Sequence, residues 1–374
     1  MALDRSWLRW DRFFLLLLAY FSVMVVSAVF GIGPMRGYVA KLASQAYLLG
    51  LPVLALGLLS TQRHLRDAIR AWLVGSALVA LLMAVSLILA MVSPQSAVLS
   101  LVQHHLGSLP LGPFVRYKLA FINPNILGAY LSASMMLTLL AAYKGWIRSR
   151  AAVLLLSDLS MALIGTFSAG SGGAVLGGAV WYALLRKPEQ SNSALAALVV
   201  GISVAGAFVV AQALTPVPYP SPLFALHVPG TTLTLMPASR LQVWIYTWHT
   251  FTVNPLTGVG IGQPVAHVLF TEPTGLQVLL RDGHNVVLNL AAACGISGAV
   301  AICAIMVAVW RRARFSRISE GNAAAIATGI ALLDVLAYQG IGGGFEDSRF
   351  VWFMIGLLLV AARLREDLVH DRRE

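Results

Sequence analysis

Phe13-Phe14-Leu15-Leu16-Leu17-Leu18-Ala19-Tyr20-Phe21-Ser22-Val23-Met24-Val25-Val26-Ser27-Ala28-Val29-Phe30-Gly31 runs for 19 residues without a charge. About 20 apolar residues in a helix span the hydrocarbon core of a bilayer. The run is too long for a signal-peptide core and lacks a small-residue cleavage site, so it reads as a retained membrane helix. By the same measure further spans fall at 42–60, 71–92, 126–143, 151–168, 172–185, 194–214, 285–310, 322–341 and 350–364. The expectation is an all-α polytopic integral membrane protein: one domain over 1–374, about ten transmembrane helices and one large periplasmic loop. Composition agrees. Of the 374 residues 58% are hydrophobic and 11% charged, with mean hydropathy +0.80, whereas a soluble domain carries about 25% charged residues.

A net charge of +11 and a pI near 10.1 would suggest a nucleic-acid partner in a soluble chain. In a membrane chain the location of the charges decides, because Lys and Arg collect on the cytoplasmic side. With the N-terminus inside, 19 of the 26 basic residues fall in cytoplasmic segments, from Arg5, Arg9 and Arg12 to Arg363, Arg365, Arg372 and Arg373. Topology alone explains the basic pI, and no nucleic acid is needed. Both termini are then cytoplasmic. Cys294 and Cys303 share one apolar run and are expected as buried thiols without a disulfide.

The seven remaining cations are Arg36, Lys41, Arg116, Lys118, Arg240, Arg281 and Arg349. Arg36 and Lys41 flank a short turn and read as interfacial snorkellers. The other five sit in three outer pieces. The smaller periplasmic loop, 93–125, holds Arg116-Tyr117-Lys118 and then Phe121-Ile122-Asn123-Pro124-Asn125, where Asn-Pro-Asn is turn chemistry at a helix start. His104-His105 is a poor metal pair, since adjacent residues face apart and no third ligand has a recognisable spacing.

The large loop, 215–283, ends in a helix and a glycine-rich turn. A helix fits Ser239 to Val253, with Pro255 just past its end. Its Leu241, Trp244, Ile245 and Trp248 make one apolar face, which suits the membrane interface or substrate stacking. Arg240 is a cation in a first turn, where the helix dipole disfavours it by some tenths of a kcal/mol. An anion held with free helix N–H groups would offset that cost; a surface role is the alternative. Gly258-Val259-Gly260-Ile261-Gly262 follows no strand–helix unit and reads as a turn for close backbone packing rather than a nucleotide loop. His284 follows Arg281-Asp282 and precedes Asn285 at the mouth of a membrane span. The helix end disfavours imidazolium, so the ring suits a general base, with Asp282 as orienting carboxylate; a structural role is the alternative. The third piece, Gly342 to Arg349, contains Glu346 and Arg349 at pairing distance on a helix. Within the membrane, Asp158 and Asp334 are costly residues and functional candidates, or else pair between helices.

These pieces, in this order, resemble the O-antigen ligase/polymerase superfamily of bacterial surface-polysaccharide assembly. Arg116 with Phe121-Ile122-Asn123-Pro124-Asn125-Ile126-Leu127-Gly128 is similar to the family's Arg…Phe-x-Asn-Pro-Asn-x-x-Gly element. Arg240…Trp244 with Asn254-Pro255-Leu256-Thr257-Gly258-Val259-Gly260 resembles its Arg-x-x-x-Trp…His-Pro-Leu-x-Gly-Val-Gly stretch. His284-Asn285 with Gly295 and Gly298 is similar to the ligases' His-(Asn/Ser/Gln)-x9-Gly-x-x-Gly. The resemblance implies transfer of a glycan from undecaprenyl diphosphate to an acceptor hydroxyl, a glycan or lipid A-core, without metal or cofactor. His284 would be the base. Arg116 and Arg240 would hold the diphosphate, with Asn125 and Asn285 in the site, and Glu346 and Asp282 secondary. Many members have Ser-Arg-Gly where this chain has Ser171-Gly172-Gly173, so Lys118, Arg281 and Arg349 are candidates for a third cation. Ligation and polymerisation both fit. The alternative from another class is a transporter or lipid-linked oligosaccharide flippase using Asp158 and Asp334.

Overall fold

The computed structural model describes residues 12–31, 35–109, 112–121, 123–166, 168, 170–185, 226–227, 234–236, 238–271, 277–342 and 347–370. The expected span 194–214 and most of 215–237 lie outside them, as does Glu346. Helices dominate: α1 (Arg12–Phe30), α2 (Met35–Leu58), α3 (Gln62–Val92), the short α4 (Ala97–Val102), α5 (Pro124–Tyr143), α6 (Ser149–Thr166), α7 (Gly170–Leu184), α8 (Ala238–Val253), α9 (Val286–Ala313), α10 (Ala323–Gly342) and α11 (Arg349–His370). Six of the described helices, α1, α2, α3, α5, α6 and α9, are long and apolar enough to cross a membrane. Helices α7, α10 and α11 occupy three further expected spans and fall outside that set of six.

The centre of the bundle is α5. Its apolar window is 78% buried, against 28% for each of α1, α2 and α3. It packs on α10, α6, α7 and α3, while α11 lies along α2 and α1 along α9. A helix that is apolar all round belongs in a core. Small Ser132, Ala133 and Ser134 let its neighbours come close.

The chain is mostly helical, as expected, and its outer segments add short strands. Three two-stranded antiparallel hairpins occur: β1–β2 (Gln103–Leu109, Gly112–Tyr117), β3–β4 (Leu226–His227, Thr234–Met236) and β5–β6 (Val268–Thr271, Gln277–Leu280). In water an isolated loop can satisfy its backbone cheaply by pairing with itself, and Leu109 pairs with Gly112 across the turn. His104 and His105 thus lie on a strand, not a helix.

The basic segments converge on one end of the bundle. Arg70 Nη2 donates to the Trp146 carbonyl at 2.7 Å, Lys144 Nζ to the Glu320 carbonyl at 2.5 Å, and Arg363 Nη2 to the Leu59 carbonyl at 2.7 Å. Helix direction then puts the hairpins, the start of α5, α8 and the start of α9 at the opposite end. Cys294 is buried as expected, but Cys303 is exposed on the outer face of α9, so the expectation of two buried thiols holds for one.

Candidate functional site

Helix α9 is broken. Gly295 has φ 71 and ψ −169, a conformation that L side chains rarely adopt. The break leaves backbone groups of α9 without intrahelical partners, and the loop after α8 supplies them. Val259 N–H donates to the Ala292 carbonyl and Gly260 N–H to the Ala293 carbonyl, both at 2.9 Å. Ile296 N–H donates to the Pro255 carbonyl at 2.8 Å. Ser27 of α1 closes the seam: its Oγ donates to the Ala293 carbonyl at 2.8 Å and accepts from Ile261 N–H at 3.0 Å. Gly258 has φ 69, and a Cβ there would come within 2.6 Å of the Cys294 nitrogen. The loop is therefore stitched into the break mainly by backbone hydrogen bonds, with the close packing that the glycine spacing suggested.

At the top of the same helix sits the turn 282–285. His284 is a non-glycine residue in the left-handed region, φ 47, which costs of order 1–2 kcal/mol unless its surroundings enforce it. They do. Asp282 Oδ1 accepts from His284 N–H at 2.8 Å. Asn285 caps α9, its Oδ1 accepting from Val287 and Leu288 N–H at 3.1 Å each. Asn289, one turn inside the helix, accepts from Gly283 N–H at 3.0 Å. Thr247 of α8 packs against Gly283. Through Oδ1, Asp282 fixes the backbone of this turn at His284. The His284 side chain is half-buried and Arg281 is exposed.

A second polar group forms where β2 meets α5 and α6. Arg116 Nε donates to the Thr166 carbonyl at 2.8 Å and its Nη2 to Asn125 Oδ1 at 2.5 Å. Asn123 caps α5 by accepting from Ile126 N–H at 2.9 Å, with Pro124 at the first helical position. Gly128 lies against Ser168. Each residue of the Asn-Pro-Asn-x-x-Gly element thus has a folding role, and Asn125 serves to hold Arg116. Tyr117 beside it is buried and takes a hydrogen bond from Gln103 at 3.0 Å; burial raises its phenol pKa and that bond opposes the rise. Lys118 is half-buried.

A third group was not legible in the sequence. Lys41 Nζ meets both oxygens of Asp347 at 2.7 and 2.5 Å, and Gln45 Nε2 donates to Asp347 Oδ1 at 2.8 Å. Lys41 is therefore a cross-bundle ion-pair partner, not a simple snorkeller. Arg349 is exposed, with its guanidinium 5.9 Å from the Tyr47 ring centre; the expected partner Glu346 lies outside the described residues. Arg240 is in the first turn of α8, with its side chain outside them. Asp158 is exposed on α6, whereas Asp334 is buried and accepts a hydrogen bond from Ser132; the two aspartates occupy unlike environments. Among the described residues no three His, Cys, Asp or Glu side chains gather as a metal site.

Residues 151–303 match the family model described as O-antigen ligase. The match spans α6, α7, α8, the stitched loop, the His284 turn and α9 past its break. No curated protein matches the chain. The family indicates ligase/polymerase-type activity on glycan and lipid-linked substrates in the membrane. These matched residues, on a bundle with six helices fit to cross a membrane, support the resemblance of the chain to the O-antigen ligase/polymerase superfamily.

Proposed function

We propose that this protein transfers a glycan from undecaprenyl diphosphate to an acceptor hydroxyl at the periplasmic face of the bacterial inner membrane, as an O-antigen ligase or an O-antigen or exopolysaccharide polymerase. The observation that carries the reading is the His284 turn. It is a strained, fully braced polar loop at the mouth of a membrane helix, inside the segment that matches the family. The end of the bundle that carries it is opposite the basic end, which the positive-inside bias assigns to the cytoplasm. The Arg116 group lies at the same end.

In the reaction the acceptor oxygen attacks the anomeric carbon, and the bond from that carbon to the diphosphate oxygen breaks. His284 takes the hydroxyl proton, and undecaprenyl diphosphate leaves with the bonding pair. Arg116 and Arg240 hold the diphosphate, with Lys118, Arg281 and Arg349 as further cations. Diphosphate is a good leaving group, so positioning, charge stabilisation and one base suffice. Asn125 and Asn285 act by holding Arg116 and the helix cap. The acceptor is a glycan or a lipid A-core.

The test uses purified protein with a lipid-diphosphate-linked glycan donor, following the product on a gel. Positioned base catalysis contributes roughly 10²–10⁴-fold. His284→Ala and His284→Gln should reach the membrane in normal amounts and lose about that factor. An amide can hydrogen-bond but cannot take up the proton. Transfer by His284→Gln within about threefold of the parent would fall far below that range and give the base role to another residue.

A further inference from the structure

We propose that the segment from Val253 to Thr257 re-enters the bilayer beside α9 and, with the outward face of α8, forms a surface immersed in the hydrocarbon of the leaflet on the His284 side. This does not rest on the transfer reaction. Its first support is depth. The Pro255 carbonyl is hydrogen-bonded to Ile296, and Arg311 and Arg312 in the last turn of α9 mark the far interface. Ile296 stands about 22 Å above Arg311 along the helix, at 1.5 Å per residue. A hydrocarbon core of about 30 Å measured from Arg311 then extends past this level by about 8 Å.

The second support is exposure. Leu256 is 77% exposed and Val253 62%, large values for apolar side chains bound for water. They continue a stripe on α9, where Ile296, Val300, Val307 and Trp310 are exposed on one face of a helix that is apolar enough to cross a membrane. On α8 the exposed Ile245 and Trp248 lie one turn apart, while Val243 and Thr247 are buried on the opposite side. An aromatic residue flanking such a face suits the interface.

The third support is independent of both. Irregular backbone persists at membrane depth only where its polar groups are satisfied. Within the segment Asn254 N–H donates to the Phe251 carbonyl and the Asn254 carbonyl accepts from Gly258 N–H; just beyond it Val259 and Gly260 N–H donate to α9 and Ile261 N–H to Ser27 Oγ. Position 255 is proline and has no N–H to satisfy.

The experiment places a nitroxide at Leu256→Cys, with Gln277→Cys on β6 as a water-exposed control, in full-length protein reconstituted in phosphatidylcholine–phosphatidylglycerol vesicles. Both native cysteines are replaced by alanine. Collision rates with dissolved oxygen and with a neutral water-soluble nickel chelate are measured. At position 256 oxygen should collide several-fold more often than nickel, and at 277 the order should reverse. Greater access to nickel at 256 means water covers the segment, and low access to both means protein does; either result overturns the proposal. If the cysteine-free background fails to fold, the same positions are compared in the native-cysteine protein by reaction with a membrane-impermeant maleimide. Position 256 should react at least about tenfold more slowly than 277, because hydrocarbon excludes the reagent. Equal rates overturn the proposal.

Discussion

Replacing Gly258 by alanine adds one methyl group where the loop after α8 is pressed against the broken helix. Two costs can be worked out. Gly258 has φ 69, and the left-handed region costs an L residue about 1–2 kcal/mol. The new Cβ would lie within 2.6 Å of the Cys294 nitrogen and closer still to the Ala293 carbonyl, all of it backbone that cannot rotate away. The loop must retreat by about 1 Å to reach ordinary contact. That displacement takes the hydrogen bonds from Val259 and Gly260 to α9, now 2.9 Å each, beyond bonding range. A buried polar group left without its partner costs about 1–3 kcal/mol. The sum is about 3–8 kcal/mol, comparable with the whole stability of many domains. Gly50→Ala makes the same chemical change within α2, where nothing lies within 4 Å, and should be neutral or stabilise by up to about 1 kcal/mol. The assay is unfolding of each purified variant in detergent, followed by tryptophan fluorescence, together with its steady level in the membrane. Gly258→Ala should melt well below the parent and Gly50→Ala at or above it. Coincident melting of the two variants would refute the stitched-loop account.

Arg116→Lys keeps the charge but loses the fork that spans Thr166 and Asn125; donor KM should rise by roughly tenfold, the lower bound for a charged hydrogen bond, and Asn125→Ala should give part of that rise. Unchanged donor KM in both would place the diphosphate elsewhere. Burial pulls the Lys144 pKa below its ordinary value, with the charge of Glu320 opposing. The fold therefore binds fewer protons there than the unfolded chain just below the ordinary lysine pKa, and its stability should rise with pH through that window. Lys144→Met should flatten the rise, as read from melting temperatures at about pH 8 and about pH 10; an unaltered slope would assign it to another group. Asp334→Asn preserves the side chain's shape and an acceptor for Ser132, so glycan transfer should persist at near the parent rate, whereas loss of function there with full activity of His284→Gln would favour a transporter.

The membrane class was legible because hydropathy reports it directly, and the end of α8 at Val253 was legible because Pro255 follows it. The glycine spacing at 258–262 was legible as close packing, yet its partner was not. Gly295 sits in an apolar run that looks continuous, and nothing local signals that its φ is 71. Lys41 and Asp347 meet across 306 positions, a pairing that a single sequence does not encode. Asn289 carried a weak sign: a polar residue one turn inside an apolar helix, four positions after the cap. The hairpins were hidden because strand alternation over six or seven residues is a faint signal beside long hydrophobic runs.

The helix break gives the His284 turn its height and its rigidity together. The 28 residues of α9 divide at Gly295: Ile296 to Ala313 alone is about 27 Å long, close to the hydrocarbon thickness, and Val286 to Cys294 extends it beyond the break. A bare extension of that length would fray in water, since isolated short helices are marginal. Here the upper half, Val286 to Cys294, is covered instead: Val286 and Leu290 to Cys294 are buried, with the stitched loop, Ser27 of α1 and Thr247 of α8 against it. The backbone N–H groups of Val259 and Gly260 take up the carbonyls of Ala292 and Ala293 directly, and Ser27 Oγ adds a side-chain link to Ala293, so main-chain bonds that cannot change rotamer resist tilting of the upper half. Under the proposed chemistry this matters. A diphosphate anchored by a lipid tail lies at the headgroup layer, and a base must wait for it there at a fixed height. A cap braced on three sides, by the stitched loop, α1 and α8, meets that requirement.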